Sequence, residues 1–240
     1  MDYKLFTTPI NSHLQVSYGF TFKSAGRFKN HRQTLNFFQS FYPNPYLFLM
    51  DQRHTTNIST IIQPQSTLSL FPTTDGLFYP HPKPYHILIT QTADCLPIVV
   101  WDRTGNLGIV HAGWRGSLNR ILTKLLEYFL IYSLPKDIFI FIGPSIGSCC
   151  YPIFGPRLDQ FQSTFPNWKN QIIIKNQNRL TLDLRKLNQL QAVNLNIPTL
   201  NIKFYPSCTS CQSNLFFSYV KDKTVKGNIL TWITLIPNRA

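Results

Sequence analysis

The sequence predicts a mixed α/β (α+β) fold that is a single domain over residues 1–240, and three observations carry that expectation. Short β-branched runs alternate with amphipathic helical stretches along the whole chain, the pattern of sheets covered by helices. No linker, low-complexity segment or repeat interrupts the alternation. At 240 residues and 43% apolar content, the chain has length and apolar surface enough for a substantial core.

Each element follows in order. Residues 15–21 alternate as a strand, and the polar, Gly-containing stretch 22–28 is a loop. Apolar positions 35, 37, 38, 41 and 42 predict a helix over 33–42, closed by Pro43 and Pro45. A short apolar strand, 46–50, delivers Asp51-Gln52-Arg53-His54 to its end. Two further strand-like pieces, 58–62 and 76–78, are joined by a polar, proline-rich connection that contains Asp75. The run 87–90 feeds the corner Thr92-Ala93-Asp94-Cys95. Runs 96–101 and 107–110 read as a hairpin, which sets Cys95 at the entry of one strand beside His111 at the exit of its neighbour. A buried stripe at 118, 121, 122, 125, 126 and 129 predicts a helix over 117–131, capped by Ser117 and stopped before Pro135. The wholly apolar run 138–142 predicts a central strand. Helices over 157–165 and 183–195 follow, then strands at 202–205, 215–219 and 229–235.

Composition excludes several partners. No stretch approaches about 18 uninterrupted apolar residues, so no membrane partner is expected. The N-terminus, Met1-Asp2-Tyr3-Lys4-Leu5-Phe6, lacks the basic head and apolar run of a signal peptide, which predicts a cytoplasmic protein. The net charge is +13, but the basic residues are scattered. A solvated basic surface that favours anionic small molecules is expected rather than a nucleic-acid interface. Oligomeric state is not legible. Five cysteines suit reduced thiols in a reducing compartment. Cys208 and Cys211 form a lone C-x-x-C with no second pair at zinc-ribbon spacing, and packing is favoured over a metal or redox role.

The chemistry gathers at strand ends. His54, Cys95 and His111 supply two imidazoles and a thiol, the three protein ligands of a catalytic zinc with one open position. Two other readings stay open: a metal-free Cys–His nucleophilic pair, and an ordinary buried thiol beside satisfied histidines. Behind His111, Gly113-Trp114-Arg115-Gly116 opens a helix. Free N–H groups there, backbone that glycine lets come close, and the Arg115 guanidinium make an anion cradle for phosphate. A tight turn with Arg115 in water is the alternative. Asp75 and Asp94 are the carboxylates placed for proton transfer, or else turn residues. The other histidines, 13, 31, 81 and 86, read as surface or loop residues.

These residues resemble a known family. Gln91-x-x-Asp94-Cys95-x-Pro97 followed by His111-Ala112-Gly113-Trp114-Arg115-Gly116 is similar to the laccase-domain or multicopper polyphenol oxidase family. That family is also described as purine nucleoside phosphorylases and peptidoglycan-editing factors. Gln52-Arg53-His54, Thr74-Asp75-Gly76, Gly143-Pro144-Ser145-Ile146 with Cys149-Cys150-Tyr151, Asp183-Leu184 with Asn188 and Gln191, Cys208-Thr209 and Phe216-Phe217-Ser218-Tyr219 resemble its other landmarks in order. The resemblance implies a layered α/β/β/α sandwich, shared with toxin deamidases that use a Cys–His pair. It implies zinc on His54, Cys95 and His111. It also implies phosphorolysis of adenosine, inosine, guanosine and methylthioadenosine, with some adenosine deamination. Copper is the weaker expectation, because six histidines with two in the site are too few for several coppers. The alternatives are a Cys–His amide hydrolase that edits peptidoglycan precursors without essential metal, and a binding module that only retains the fold. The chain departs from the family where Val220 and Lys221 replace two arginines, Asn228 replaces one after Gly227, and Lys23 replaces an N-terminal one. Lysine keeps the charge but loses the planar fork.

Overall fold

Two six-stranded mixed sheets lie face to face, with helices on their outer faces. The computed structural model describes residues 1–64, 66–176, 179–224 and 226–238. The first sheet runs, in spatial order, β1 (Tyr3–Pro9), β2 (Leu14–Thr21), β14 (Ile229–Pro237), β7 (His86–Thr92), β3 (Tyr46–Met50) and β5 (Leu68–Phe71). The second runs β13 (Ile202–Phe204), β10 (Ile138–Ile142), β8 (Leu96–Asp102), β9 (Leu107–Ala112), β6 (Gly76–Tyr79) and β4 (Ile58–Thr60). A separate hairpin pairs β11 (Ile173–Asn176) with β12 (Arg179–Leu182). The helices are α1 (His31–Gln39), α2 (Trp114–Leu118), α3 (Ile121–Leu130), α4 (Gly155–Thr164), α5 (Lys169–Ile172), α6 (Leu184–Asn194) and α7 (Tyr219–Asp222).

Three apolar layers glue the four structural layers. Phe38 and Tyr42 pack on Leu47, Ile87 and Trp232, seating α1 on the outer face of the first sheet. Tyr18, Phe20, Leu88, Val99, Trp101 and Phe141 fill the space between the sheets. Ile98, Val100 and Ile140 meet Ile121, Leu122, Leu125, Leu126 and Phe129 of α3 on the far side. Strands such as β8 therefore alternate between two apolar faces and read as unbroken hydrophobic runs. The five α3 side chains have no exposed area, and burial of each stabilises the fold by about 1.5–3 kcal/mol. The α/β/β/α sandwich expected from the resemblance is the fold observed.

Several expectations need correction. The helix over 117–131 is two helices. The first starts after Gly113, and the chain breaks at Arg120, which takes left-handed backbone at φ 60°. Ser117 is thus inside α2, buried, and not a cap. The helix expected at 33–42 begins at His31, because the Asn30 side chain accepts from the Gln33 N–H and caps it. Residues 215–219 form no strand. Phe216 and Phe217 are buried as anchors, Lys23 N–H donates to the Leu215 carbonyl, and Ser218 caps α7. Strands β1, β5, β11 and β12 are additions.

Candidate metal centre and cavity

The sheet topology assembles the three donors. β7 belongs to the first sheet and β8 to the second, so Thr92-Ala93-Asp94-Cys95 is the point where the chain crosses between them. Asp94 makes that crossing with φ 100°. Its carboxylate accepts from Thr209 Oγ1 (2.5 Å) and the Val220 N–H (2.7 Å), and its carbonyl accepts from the Ile146 N–H (2.9 Å). β8 pairs antiparallel with β9, and Pro97 faces His111 in the register, which brings Cys95 beside that imidazole. His54 arrives from the far end of β3, also with left-handed backbone (φ 59°).

Asp75 holds this last loop in place. It is fully buried, and one oxygen accepts from the N–H groups of Arg53 (3.1 Å) and Thr55 (2.7 Å) and from Thr55 Oγ1 (2.8 Å). The other accepts from the His54 N–H (3.1 Å) and from His111 Nδ1 (2.8 Å). A carboxylate that orients a histidine through Nδ1 leaves Nε2 for a metal and fixes its tautomer.

The result is a tight trio. The donor atoms of His54, Cys95 and His111 all lie within 4.8 Å of one another and can hold a metal ion. The Cys95 sulfur is 3.9 Å from His54 Nε2, and the two imidazole rings cross at 73°. Burial works to raise the Cys95 pKa, but hydrogen bonds and charge from His111 and His54 outweigh it and bring the thiol down to about 6. For His111 burial works downward, while Asp75 and Cys95 raise it to about 9. Burial likewise opposes ionisation of Asp75, yet His111 and Thr55 hold it at about 2. Near neutral pH the metal-free trio therefore carries a thiolate and an imidazolium, and a metal entering it displaces the imidazolium proton.

The trio opens into a cavity of about 850 Å³. Arg115, Arg157 and Lys223 line it, as do Trp114, Tyr151, Phe154 and Tyr219. The Arg115 and Arg157 guanidinium groups lie 4.3 and 5.2 Å from the Trp114 ring, cation–π contacts that fix both cations. Tyr151 is raised to about 12, mainly by burial and then by the Cys95 charge, so its hydroxyl stays protonated.

A family described as multi-copper polyphenol oxidoreductase laccase matches residues 24–236. The chain belongs to this family. Purine nucleoside phosphorylase YlmD of Geobacillus stearothermophilus is 34% identical over 149 residues, 59% of this chain and 53% of that protein. Adenosine deaminase RL5 from an unknown prokaryotic organism is 32% identical over 136 residues, 55% and 52% of the two chains. The chain thus spans about half the length of the curated relatives it matches. The crystal structure of the Geobacillus YlmD superposes with a TM-score of 0.80 at 26% identity over 91% of each chain. Neisseria meningitidis protein NMB0706 gives a TM-score of 0.80 at 19% identity over 98% and 99%, a likeness of fold alone.

The site residues read from the sequence fall into two groups. His54, Cys95 and His111 converge, and Asp94 and Arg115 line the cavity with them. Asp75 sits behind the trio, and both its oxygens are filled by donors from Arg53, His54, Thr55 and His111, which suits holding rather than moving protons. A Cβ on Gly113 would stand 3.0 Å from the Cys95 sulfur and 3.1 Å from His54 Cδ2, so this glycine makes room for the trio. Gly116 is buried against Ile121 and the His111 and Thr55 carbonyls. The helix behind them has only five residues, so the dipole expected to hold an anion is that of a single turn. Asn188 and Gln191 brace it through Ser117.

Other positions were missed or misread. Arg157, Lys223 and His31 reach the cavity from distant segments and carry no local motif. Of the four departures from the family pattern, Val220 and Asn228 line the cavity, Lys23 is spent on the Ser213 carbonyl (2.9 Å), and Lys221 follows the cap of α7. His86, read as a loop residue, is buried and bonded to the Tyr79 hydroxyl (2.9 Å). The C-x-x-C is not lone, because Cys149 and Cys150 stand beside it. Among the described residues no helix is long and apolar enough to cross a membrane.

Proposed function

We propose that this protein is a zinc-dependent purine nucleoside phosphorylase, cleaving nucleoside and phosphate to free base and ribose 1-phosphate, with adenosine deamination as a side activity. The observation that carries the reading is a Cys/His/His donor set opening on a cavity with three cations, in a chain whose relatives bear those two names. A cavity of about 850 Å³ is the right size for a nucleoside and an anion together.

The donor set fits zinc. One thiolate and two imidazoles with a carboxylate behind one of them is the arrangement a catalytic zinc takes, and the left-handed His54 backbone is held in place by Asp75. When bound, zinc supplies Lewis-acid polarisation at the purine or at a water. The chain's own residues do the rest. Arg115 and Arg157, both held against the Trp114 ring, would clamp phosphate near the ribose, where positive charge develops as the glycosidic bond lengthens. Tyr151 would donate its hydroxyl proton in a hydrogen bond to the leaving base, and the aromatic wall would hold the purine and exclude water.

The test is phosphate-dependent release of free base from adenosine and inosine by metal-replete protein. Arg157→Met is expected to raise the phosphate KM at least about tenfold, the loss of one charge-assisted clamp. Absence of both base release and deamination refutes the proposal. Elemental analysis decides the ion, since a His₂Cys set also accommodates copper. A blue, copper-loaded native protein overturns zinc.

A second reading has one observation in its favour. The Cys95 thiol, lowered to about 6 and 3.9 Å from His54, is a nucleophile for a metal-free amide hydrolase. That reading requires covalent labelling of Cys95 by an amide-derived electrophile and indifference to chelators. Chelator-sensitive turnover eliminates it.

A further inference from the structure

Four of the five cysteines lie outside the centre just described, and the topology explains why they meet. β10 and β13 are parallel neighbours, with Ile142 opposite Phe204, so the loops that follow them leave the sheet at the same end. One loop carries Cys149 and Cys150, the other Cys208 and Cys211. A parallel bridge between Ser145 and Cys208, with the Thr209 N–H donating to the Ser145 carbonyl (3.1 Å), ties the loops together.

The four sulfurs all lie within 4.8 Å of one another. Cys211 is 3.5 Å from Cys149 and 3.4 Å from Cys150, and all four are free thiols. A tetrahedral zinc–thiolate site, with bonds of about 2.3 Å, needs sulfur–sulfur edges of about 3.8 Å. The two edges at Cys211 are within about 0.4 Å of that length, and none of the six exceeds 4.8 Å. Two independent features prepare it for an ion. The N–H groups of Gly147 (3.2 Å) and Cys211 donate to the Cys208 sulfur and hold it toward the other three. A Cβ on Gly147 would meet the Cys149 sulfur at 3.2 Å and Cys208 Cβ at 3.3 Å, so a side chain there would push the sulfurs apart. The charge also suits a dianionic zinc tetrathiolate. The Arg185 guanidinium bonds the carbonyls of Ser145 (2.6 Å) and Ser207 (2.5 Å), and Arg179 bonds the Cys149 carbonyl (3.1 Å).

We propose that Cys149, Cys150, Cys208 and Cys211 form a second, tetrathiolate zinc site, structural in role and separate from the His54–Cys95–His111 centre. All four positions are taken by sulfur, which leaves no open position for substrate. The ion would staple a stretch, from Tyr205 to Ser218, that has neither strand nor helix. That stretch carries Thr209 and leads to Val220, the two residues that hold the Asp94 carboxylate next to Cys95. The second ion would thus fix one wall of the cavity without touching its contents.

The experiment uses the full chain purified under reductant without chelator. In Cys95→Ala the first centre has lost its sulfur, so thiolate-to-metal absorption reports only the four-cysteine site. This variant is expected to keep one zinc per chain. Exchanged with cobalt(II), it should show the ultraviolet thiolate charge-transfer bands and visible bands of a tetrahedral sulfur site. Cys211→Ser, at an exposed position, should shift and weaken those bands, and zinc should slow modification of the four thiols by a disulfide reagent at least about tenfold. A Cys95→Ala protein that takes up no zinc and shows no cobalt–thiolate absorption refutes the proposal, as does a native disulfide joining Cys211 to Cys149 or Cys150 in place of metal. None of these readouts depends on nucleoside turnover, so the second site stands or falls apart from the proposed activity.

Discussion

Asp75→Asn tests how the metal trio is held. The aspartate oxygens accept from three backbone N–H groups, one hydroxyl and His111 Nδ1. An amide keeps one accepting oxygen and sets an NH₂ in place of the other. If the NH₂ takes the side facing Arg53 and Thr55, two backbone donors lose their acceptor. If it takes the side facing His54 and His111, only the His54 N–H does, because the hydroxyl and the other two amides keep theirs. The second orientation costs less, about 1.5–3 kcal/mol for one hydrogen bond to a charged group. For a chain this long, each kcal/mol moves Tm by about 2–4 °C, so a fall of about 3–12 °C is expected. The same orientation makes the amide donate to His111 Nδ1. That reverses the tautomer and leaves the proton on Nε2, where the metal must bind. Zinc affinity should then fall about 10–100-fold, measured by competition with a chromogenic chelator. Thr55→Ala removes one hydroxyl donor and leaves the tautomer alone, so it should cost stability without a comparable loss of zinc. Wild-type zinc affinity in Asp75→Asn, with a lowered Tm, would refute the argument that this carboxylate sets the His111 tautomer.

Two further outcomes follow from the geometry. Gly113→Ala would place a Cβ 3.0 Å from the Cys95 sulfur and 3.1 Å from His54 Cδ2. His54 is exposed and can swing away, so zinc affinity should fall at least about tenfold while Tm changes little; equal affinity in a zinc titration would contradict the close fit. His86 is buried, and burial, followed by the charge of Lys83, holds its pKa below the usual histidine value. The unfolded chain therefore binds more protons in acid, and stability that is full above about pH 6.5 is lost as pH falls through the folded-state pKa. Thermal melts between pH 8 and pH 5 should show the stability gap between wild type and His86→Gln narrowing toward acid, and a gap independent of pH would exclude this account.

What the sequence disclosed and what it hid divide along one physical line. Short-range patterns were readable. The apolar stripe of α3 and the uninterrupted run of β10 follow from periodicity and burial, and the hairpin that joins Cys95 to His111 follows from two apolar runs and a turn. Boundaries set by one residue's backbone were not. Arg120 breaks a continuous apolar stripe by taking left-handed backbone, and nothing in the stripe reports it. Residues 215–219 are as apolar as a strand, but Phe216 and Phe217 are buried as anchors from a segment that joins neither large sheet. Convergence between distant segments was harder still. The four-cysteine cluster depends on β10 and β13 being parallel neighbours, a long-range pairing that C-x-x-C spacing cannot encode.

The same distinction bears on the two aspartates. Asp94 precedes Cys95 in the sequence and lines the cavity with one donor on each carboxylate oxygen, whereas Asp75 is remote from all three candidate ligands in sequence and accepts five donors behind them. Asp75 joins the His54 loop to β9, while Asp94 joins the crossing between the sheets to Thr209 and Val220. Each candidate ligand of the trio is thus anchored, directly or through its chain neighbour, by a buried carboxylate that reaches across to a segment remote in sequence. Such anchoring lets Asp94 and His54 hold positive-φ backbone beside a cavity, where water would otherwise compete for the same amides. A site built this way fixes its donors before any ion arrives, so a bound metal does not have to order the loops itself. Its affinity should then be sensitive to the carboxylates behind the ligands as well as to the ligands, and that sensitivity is what Asp75→Asn measures.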